Sequence, residues 1–245
     1  MPLLLAAFFV TALLYASVGF GGGSTYSALL ALAGADYRIL PLISLCCNIV
    51  VVLGATLRFG RAGVIPWRRA GLLTLIAAPA ALLGGLTPIG QGAFLALLGA
   101  SLVLTALTML IPVRERDMDA PGKLAPWAPA VAAPLGYLAG LVGIGGGIFL
   151  APLLHLVRWN SARAIAATAS LFILVNSVFG LAGQLLKGGA GRLGAAVDFG
   201  LPLIVAVAIG GQIGSWIALK KLPPKWIRWG TAVLVAWVGV RLLTA

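Results

Sequence analysis

Two apolar stretches, residues 2-33 and 126-156, each carry the same glycine pattern near their middle: Gly19-Phe20-Gly21-Gly22-Gly23 and, 124 residues on, Gly143-Ile144-Gly145-Gly146-Gly147. Glycine costs about 1 kcal/mol per residue relative to alanine inside a helix, so four glycines in five positions should end one. Each stretch is thereby cut into a piece of about 16 to 18 residues and a short piece of about 10. Ten helical residues rise only about 15 Å, half of a hydrocarbon core of about 30 Å. Broken backbone at that depth survives only where protein or a water-filled cavity surrounds it. The two glycine breaks must therefore lie inside a bundle built by the rest of the chain.

The rest of the chain supplies six further apolar stretches, at 39-57, 68-87, 89-112, 163-186, 197-219 and 226-244. Each has the 19 to 24 residues of a bilayer crossing, near the usual ~20. Charged residues make up 9% of the chain and mean hydropathy is +1.10, against about 25% charge in soluble domains. This composition describes an all-α integral membrane protein. The excess of 17 Lys and Arg over 5 acids does not indicate nucleic-acid binding, which needs a soluble basic face; the bases sit in short loops, where they set orientation. No Lys or Arg precedes Arg38, so the basic start of a cleavable leader is missing and the first apolar segment is expected in the mature protein.

Internal matches divide the chain. Leu29 and Leu30 align with Leu153 and Leu154, Ser44-Leu45 and Gly54 with Ser170-Leu171 and Gly180, and Gly99 with Gly230. A first transmembrane repeat, 1-112, and a second, 126-245, are joined by the charged linker 113-125, expected in the cytoplasm. Eight plain spans would split the bases 10 against 7, hardly a bias. If each glycine-broken stretch enters and leaves on one side, loops 58-69, 113-125, 157-163 and 220-228 share a side. The split then becomes 13 against 4, with only Arg38, Lys187, Arg192 and Arg241 opposite. The positive-inside rule prefers this arrangement. It gives two inverted repeats, each a re-entrant or discontinuous helix followed by three transmembrane helices, with both termini outside, as in many secondary transporters.

Successive glycines let backbone N–H groups converge on an anion, and the helix that follows adds unsatisfied amides and partial positive charge. Inverted halves would point two such N-termini at each other near the bilayer midplane. The candidate anion site is Gly19, Gly21, Gly22, Gly23, Gly143, Gly145, Gly146 and Gly147. Side-chain donors are expected from the first half, since Ser24-Thr25-Tyr26-Ser27 follows the first motif and the apolar Ile148-Phe149-Leu150-Ala151 follows the second. Ser24 and Thr25 are the leading donors. Ser44 and Ser170 match across the repeats, with Asn48 and Asn176 one to two turns further on, so these four are candidates to line the pathway. The competing reading treats the glycines as close-packing positions and the polar side chains, with Thr168, Gln91 and Gln212, as interhelical hydrogen-bond partners.

All five acids, Asp36, Glu115, Asp117, Asp119 and Asp198, fall at or near segment ends. A cation carrier normally keeps a carboxylate at membrane depth, which argues against a metal-cation permease; no metal site, cofactor or catalytic residue is expected. His155 ends the second short piece, in an interfacial or proton-carrying role. Cys46 and Cys47 are adjacent and read as buried thiols. Three functions remain open: an alternating-access secondary transporter, an anion channel with the glycine loops as filter, and a membrane thiol or redox protein using Cys46 and Cys47.

The segment from Gly143 to Gly147 with Pro152-Leu153 behind it, together with Arg163-Ala-Ile-Ala-Ala-Thr168-Ala-Ser170, resembles the TauE/SafE sulfite exporter family, also called the TSUP anion transporters. That family carries G-x-G-G-G near the start of each of two repeats. The first repeat departs from it in having Ala28 where the motif often has proline. The resemblance covers nearly the whole chain. It implies no enzyme but a multi-pass transporter of the bacterial cytoplasmic (inner) membrane for sulfite, sulfonates such as sulfoacetate, or related organic anions, with the lipid bilayer and the small anion as partners.

Overall fold

A computed structural model describes residues 1–18, 20–110, 122, 124–217 and 224–244. Gly19, residues 111–121 and 123 with most of the linker 113-125, residues 218–223 and Ala245 fall outside the described residues. Among the described residues the chain is helical, without strands: α1 Pro2–Val18, α2 Gly23–Leu32, α3 Leu40–Arg61, α4 Trp67–Leu86, α5 Gln91–Leu110, α6 Ala128–Val142, α7 Gly147–Leu156, α8 Ala162–Ile217 and α9 Pro224–Thr244. Five helical segments are long and apolar enough to cross a membrane: Leu40–Arg61, Trp67–Leu86, Ala125–Val142, Ala162–Gly188 and Arg192–Gly214. Their outward faces carry exposed Leu53, Leu57, Leu75, Leu83, Leu186, Leu201, Val205 and Ile209, an apolar surface that only lipid covers without cost. The protein is a multi-pass membrane protein.

The glycine breaks fall where the sequence places them. Each stretch yields a long piece (α1, 17 residues; α6, 15) and a short helix of 10, α2 or α7. Helix α6 ends because Gly143 takes φ +81°, a left-handed conformation that closes a helix C-terminus. Pro41 in the first turn of α3 and Arg58 and Arg61 in its last turn fit the ends they occupy.

The segments expected at 163-186 and 197-219 are the two apolar spans Ala162–Gly188 and Arg192–Gly214, both within α8. That helix does not run straight. A Cβ built on Gly180 would lie 3.5 Å from Leu45 and one on Gly200 2.9 Å from Ile43. Twenty residues of straight helix would separate these contacts by about 30 Å, yet Ile43 and Leu45 are two residues apart. Helix α8 therefore folds back between Gly188 and Arg192 into two limbs, both packed on α3. The two crossings the sequence reads are present, joined by a glycine-rich reversal rather than an open loop.

Small residues set the close packing. Gly136 lies against the Ala77 backbone, Gly140 against Ala81, Gly210 against Phe9 and Gly214 against Leu13, so α6 runs alongside α4, and α1 alongside the second limb of α8. Without a hydrophobic drive between helices in lipid, such backbone approach is the main source of packing energy. The contacts orient the chain. One end of the bundle gathers Tyr37, Arg38, Pro88, Lys187 and Arg192; the other gathers Pro66, Trp67, Arg68, Arg69 and Asn160. Helix α2 starts at mid-bundle beside Ser44 and Asn48 and runs to the Lys187 end. Helix α7 starts at mid-bundle beside Ile173 and runs to the Trp67 end, where the Trp159 amide donates to the Leu154 carbonyl.

Candidate functional site

The two glycine loops meet. A Cβ on Gly23 would lie 2.5 Å from the Ile144 carbonyl oxygen, a distance no side chain can occupy. Asn48 on α3 stands between the loops: its Nδ2 donates to the Ile144 carbonyl (3.2 Å), and its side chain lies against Gly21, Gly23 and Gly145. One helical turn earlier, the Ser44 hydroxyl donates to the Gly23 carbonyl (2.8 Å). Ile173 on the first limb of α8 packs against Gly21, Gly145 and Gly147, and the Ser177 hydroxyl faces Gly145. Residues 173, 176, 177 and 180 share a helix face, which puts Asn176 beside Ser177.

The loops differ in backbone. Gly143, Gly145 and Gly146 have φ of +81°, +82° and +76°, and Gly146 caps α7. Gly21, Gly22 and Gly23 have no left-handed φ; Gly22, which caps α2, has φ −100°. Neither short helix has a side-chain cap; both begin at the loops, and in α7 the Phe149 amide donates to the Gly146 carbonyl (3.2 Å).

The polar side chains around this point are buried and under-bonded. Asn48, Asn176 and Ser177 are fully buried and Ser24 nearly so, yet Asn48 Oδ1, both amide atoms of Asn176, Ser177 Oγ and Ser24 Oγ have no hydrogen-bond partner. Buried polar groups in native proteins are overwhelmingly satisfied, and each orphan costs about 1–3 kcal/mol. Of these side chains, Asn48 and Ser177 lie directly against the loop glycines.

The sequence-predicted residues sort unevenly. Gly21, Gly22, Gly23, Gly145, Gly146, Gly147, Ser44 and Asn48 are brought together; Gly143 packs on Pro41 at the start of α3; Gly19 lies outside the described residues. Thr25 pairs with the Tyr15 hydroxyl (3.0 Å), leaving Ser24 the unpartnered hydroxyl of the two. Ser170 does not repeat the role of Ser44: it donates to the Ala166 carbonyl of its own helix (3.0 Å), as Thr168 does to Ala164. Tyr26 stacks on Phe8 at 4.9 Å, its hydroxyl without a partner. Cys46 and Cys47 are free thiols, and Cys47 belongs to the apolar cluster of Phe8, Ala12 and Tyr15. His155 is half-buried at the end of α7. No group of three metal-ligating side chains occurs among the described residues.

Sequence reasoning missed Tyr15, Ser177 and Gln184. Gln184, almost fully buried, donates to the carbonyls of Gly140 (2.9 Å) and Leu141 (3.4 Å), tying α8 to the helix that enters the second loop. The available signal for Ser177 and Gln184 was their spacing: with Asn176 they form a polar stripe of helical period in an apolar span.

The chain has recognisable relatives. The sequence profile described as "Sulfite exporter TauE/SafE" matches residues 3–242. The probable membrane transporter protein y4hK of Sinorhizobium fredii is 33% identical over 242 residues, covering 97% of this chain and 96% of that one. The probable membrane transporter protein MamO of Paramagnetospirillum magneticum is 26% identical over 85% of this chain but only 39% of its own length. The probable membrane transporter protein YunE of Bacillus subtilis is 27% identical over 46% of this chain and 40% of its own. No solved structure matches the chain. With residues 3–242 inside the profile and both glycine motifs in place, the chain belongs to the TauE/SafE sulfite exporter family of membrane transporters.

Proposed function

We propose that the protein is a secondary transporter that moves sulfite or a related small sulfur-containing or organic anion across the bacterial cytoplasmic membrane by alternating access. The anion sits between the two glycine loops, held by first-turn amides of α2 and α7 and by Asn48, Ser24 and Ser177. The observation that carries this reading is the set of unpartnered, fully buried polar atoms between two uncapped helix N-termini. An anion there meets two positive helix ends in a low-dielectric setting, where charge–dipole attraction is weakly screened.

The halves 1-112 and 126-245 act as inverted repeats, with α1–α2 and α6–α7 as the two re-entrant elements. The Trp67 end, with loops 58-69 and 157-163, faces the cytoplasm; the Lys187 end and both termini face the periplasm. The 13 to 4 division of bases supports this orientation. Since the loop residues are buried from both ends, this conformation is occluded, and transport needs the loops to become accessible to each side in turn.

Uptake of radiolabelled sulfite, thiosulfate and sulfonates into proteoliposomes tests the assignment. Asn48→Leu should reduce transport of the accepted anion at least tenfold, as expected for one hydrogen bond to a charged ligand worth about 1.5–3 kcal/mol, and should also lower the melting temperature, because the Ile144 carbonyl loses its buried donor. Parental transport by Asn48→Leu would place the site elsewhere. Cysteine labelling at 60 and 223 in a chain lacking Cys46 and Cys47 tests the topology, since labelling from opposite sides would rule out re-entrant elements.

A further inference from the structure

Positive charge on the exporting side of a membrane has no topological purpose, and this chain carries only four bases there. Three of them, Arg38, Lys187 and Arg192, line one cavity of about 340 Å³ at the Lys187 end, and no acidic side chain lines it. They come from different places: Arg38 from the turn before α3, Lys187 and Arg192 from the two sides of the α8 reversal. Asp36 accepts the Arg38 backbone amide (2.9 Å) without pairing its guanidinium, which is held instead by the Tyr37 hydroxyl (3.3 Å). Lys187 is half-buried and spends one of its three donors on the Thr87 carbonyl (3.0 Å). A partly desolvated ammonium near membrane depth is costly and is kept where it has a ligand.

The cavity's other wall is apolar. Ile89 and the fully buried Phe94 face it, and its floor is Pro41 and Leu141. That floor backs the second glycine loop, because Gly143 packs on Pro41 and Gln184, also in the lining, holds the Gly140 and Leu141 carbonyls. The volume suits a small organic ligand, since sites for such molecules start near 300 Å³.

We propose that this cavity is a capture site for organic oxyanions, with the anionic head on Lys187, Arg192 and Arg38 and the carbon tail against Ile89 and Phe94. Resting on the transporter reading, it makes the cavity the external antechamber of the glycine-loop site. Guanidinium groups match the paired oxygens of a sulfonate or carboxylate, and the opposing apolar wall selects an anion that carries a hydrocarbon tail over a bare inorganic ion.

The test needs no substrate to cross the membrane. Ile89→Cys, in a chain with Cys46→Ala and Cys47→Ala, is reconstituted in phosphatidylcholine nanodiscs and reacted with anionic 2-sulfonatoethyl methanethiosulfonate and with its cationic trimethylammonioethyl analogue. The anionic-to-cationic rate ratio should exceed that of free 2-mercaptoethanol by roughly tenfold, the lower range for electrostatic focusing in a charged cleft. Lys187→Gln with Arg192→Gln should return it to the free-thiol value. Butanesulfonate should protect the thiol at a concentration at least tenfold below sulfate. A ratio equal to that of the free thiol, a ratio insensitive to the double substitution, or equal protection by sulfate would overturn the proposal. So would protection by added phosphatidylglycerol in place of butanesulfonate, which would assign the cavity to a lipid headgroup. Expected labelling in a protein that transports nothing would leave the capture site standing and remove only the transporter reading.

Discussion

The two glycine loops share a sequence pattern but need glycine for different reasons. In the second loop three glycines hold left-handed backbone at φ near +80°, a conformation that costs a residue with a Cβ roughly 1–2 kcal/mol. In the first loop Gly21–Gly23 take no such conformation, and what they supply is room: for Asn48 beside Gly21, for the Tyr26 ring beneath Gly22 and for the Ile144 carbonyl beside Gly23. The chain beyond them differs too. Hydroxyls follow the first loop and apolar side chains the second, although the second half brings Ser177 of α8 against Gly145. A repeated motif therefore marks a shared place in the bundle without implying a shared local mechanism.

The largest expected effect follows from this contrast. Gly146→Val combines a β-branched residue with φ +76° and contacts to Phe172 and Ala139; it should abolish proteoliposome uptake and lower the melting temperature. Gly146→Ala should be milder, and trimming Phe172 to Leu should not rescue it, because the strain lies in the backbone.

Gly22→Ala comes next. Its Cβ would strike the Tyr26 ring and Thr11 methyl, both side chains, so uptake should fall but recover in Gly22→Ala with Tyr26→Leu. If rescue occurs in the second loop and fails in the first, the contrast is reversed.

Ser24→Ala should show opposite signs in two assays. Removing an unpartnered buried hydroxyl should leave stability level or raise it by up to about 1 kcal/mol, while anion affinity falls about tenfold, both following from the cost of an unmade hydrogen bond. Loss of stability without loss of affinity would make Ser24 structural.

Thr25→Val and Tyr15→Phe each remove the same mutual hydrogen bond, worth about 0.5–1.5 kcal/mol. They should have equal, modest effects on melting temperature, and the double variant should be no worse than either single one. Non-equivalence in anion affinity would restore Thr25 as a ligand donor. Phe149→Leu, a near volume-conserving change in the apolar copy, should cost under about 1.5 kcal/mol and leave affinity alone.

Much of this was readable from the chain because the strongest signals are local. Glycine runs end helices, and α2 and α7 emerge with the ten residues expected on that ground. Ser44 and Asn48 were recoverable because a repeat marks equivalent positions. What stayed hidden depends on the third dimension. Thr25 was read as a ligand donor since nothing in an apolar helix marks Tyr15 as its partner. Ser170 matches Ser44 in sequence but donates to the Ala166 carbonyl of its own helix, where Ser44 donates to Gly23. Arg38 and Arg192, 154 residues apart, meet only once the bundle forms.

The pairing of α1 with the second limb of α8 bears on how the protein is made. The backbone against which Phe9 and Leu13 pack belongs to Gly210 and Gly214, about two hundred residues further along the chain. Until those residues are made, helix α1 stands in the bilayer with Thr11 and Tyr15 unsheltered. Contacts of such sequence separation form late and expose the intermediate to misassembly. Nascent chains stopped before residue 200 should accordingly be cleared by membrane proteases, however completely α1–α7 and the first limb of α8 have inserted.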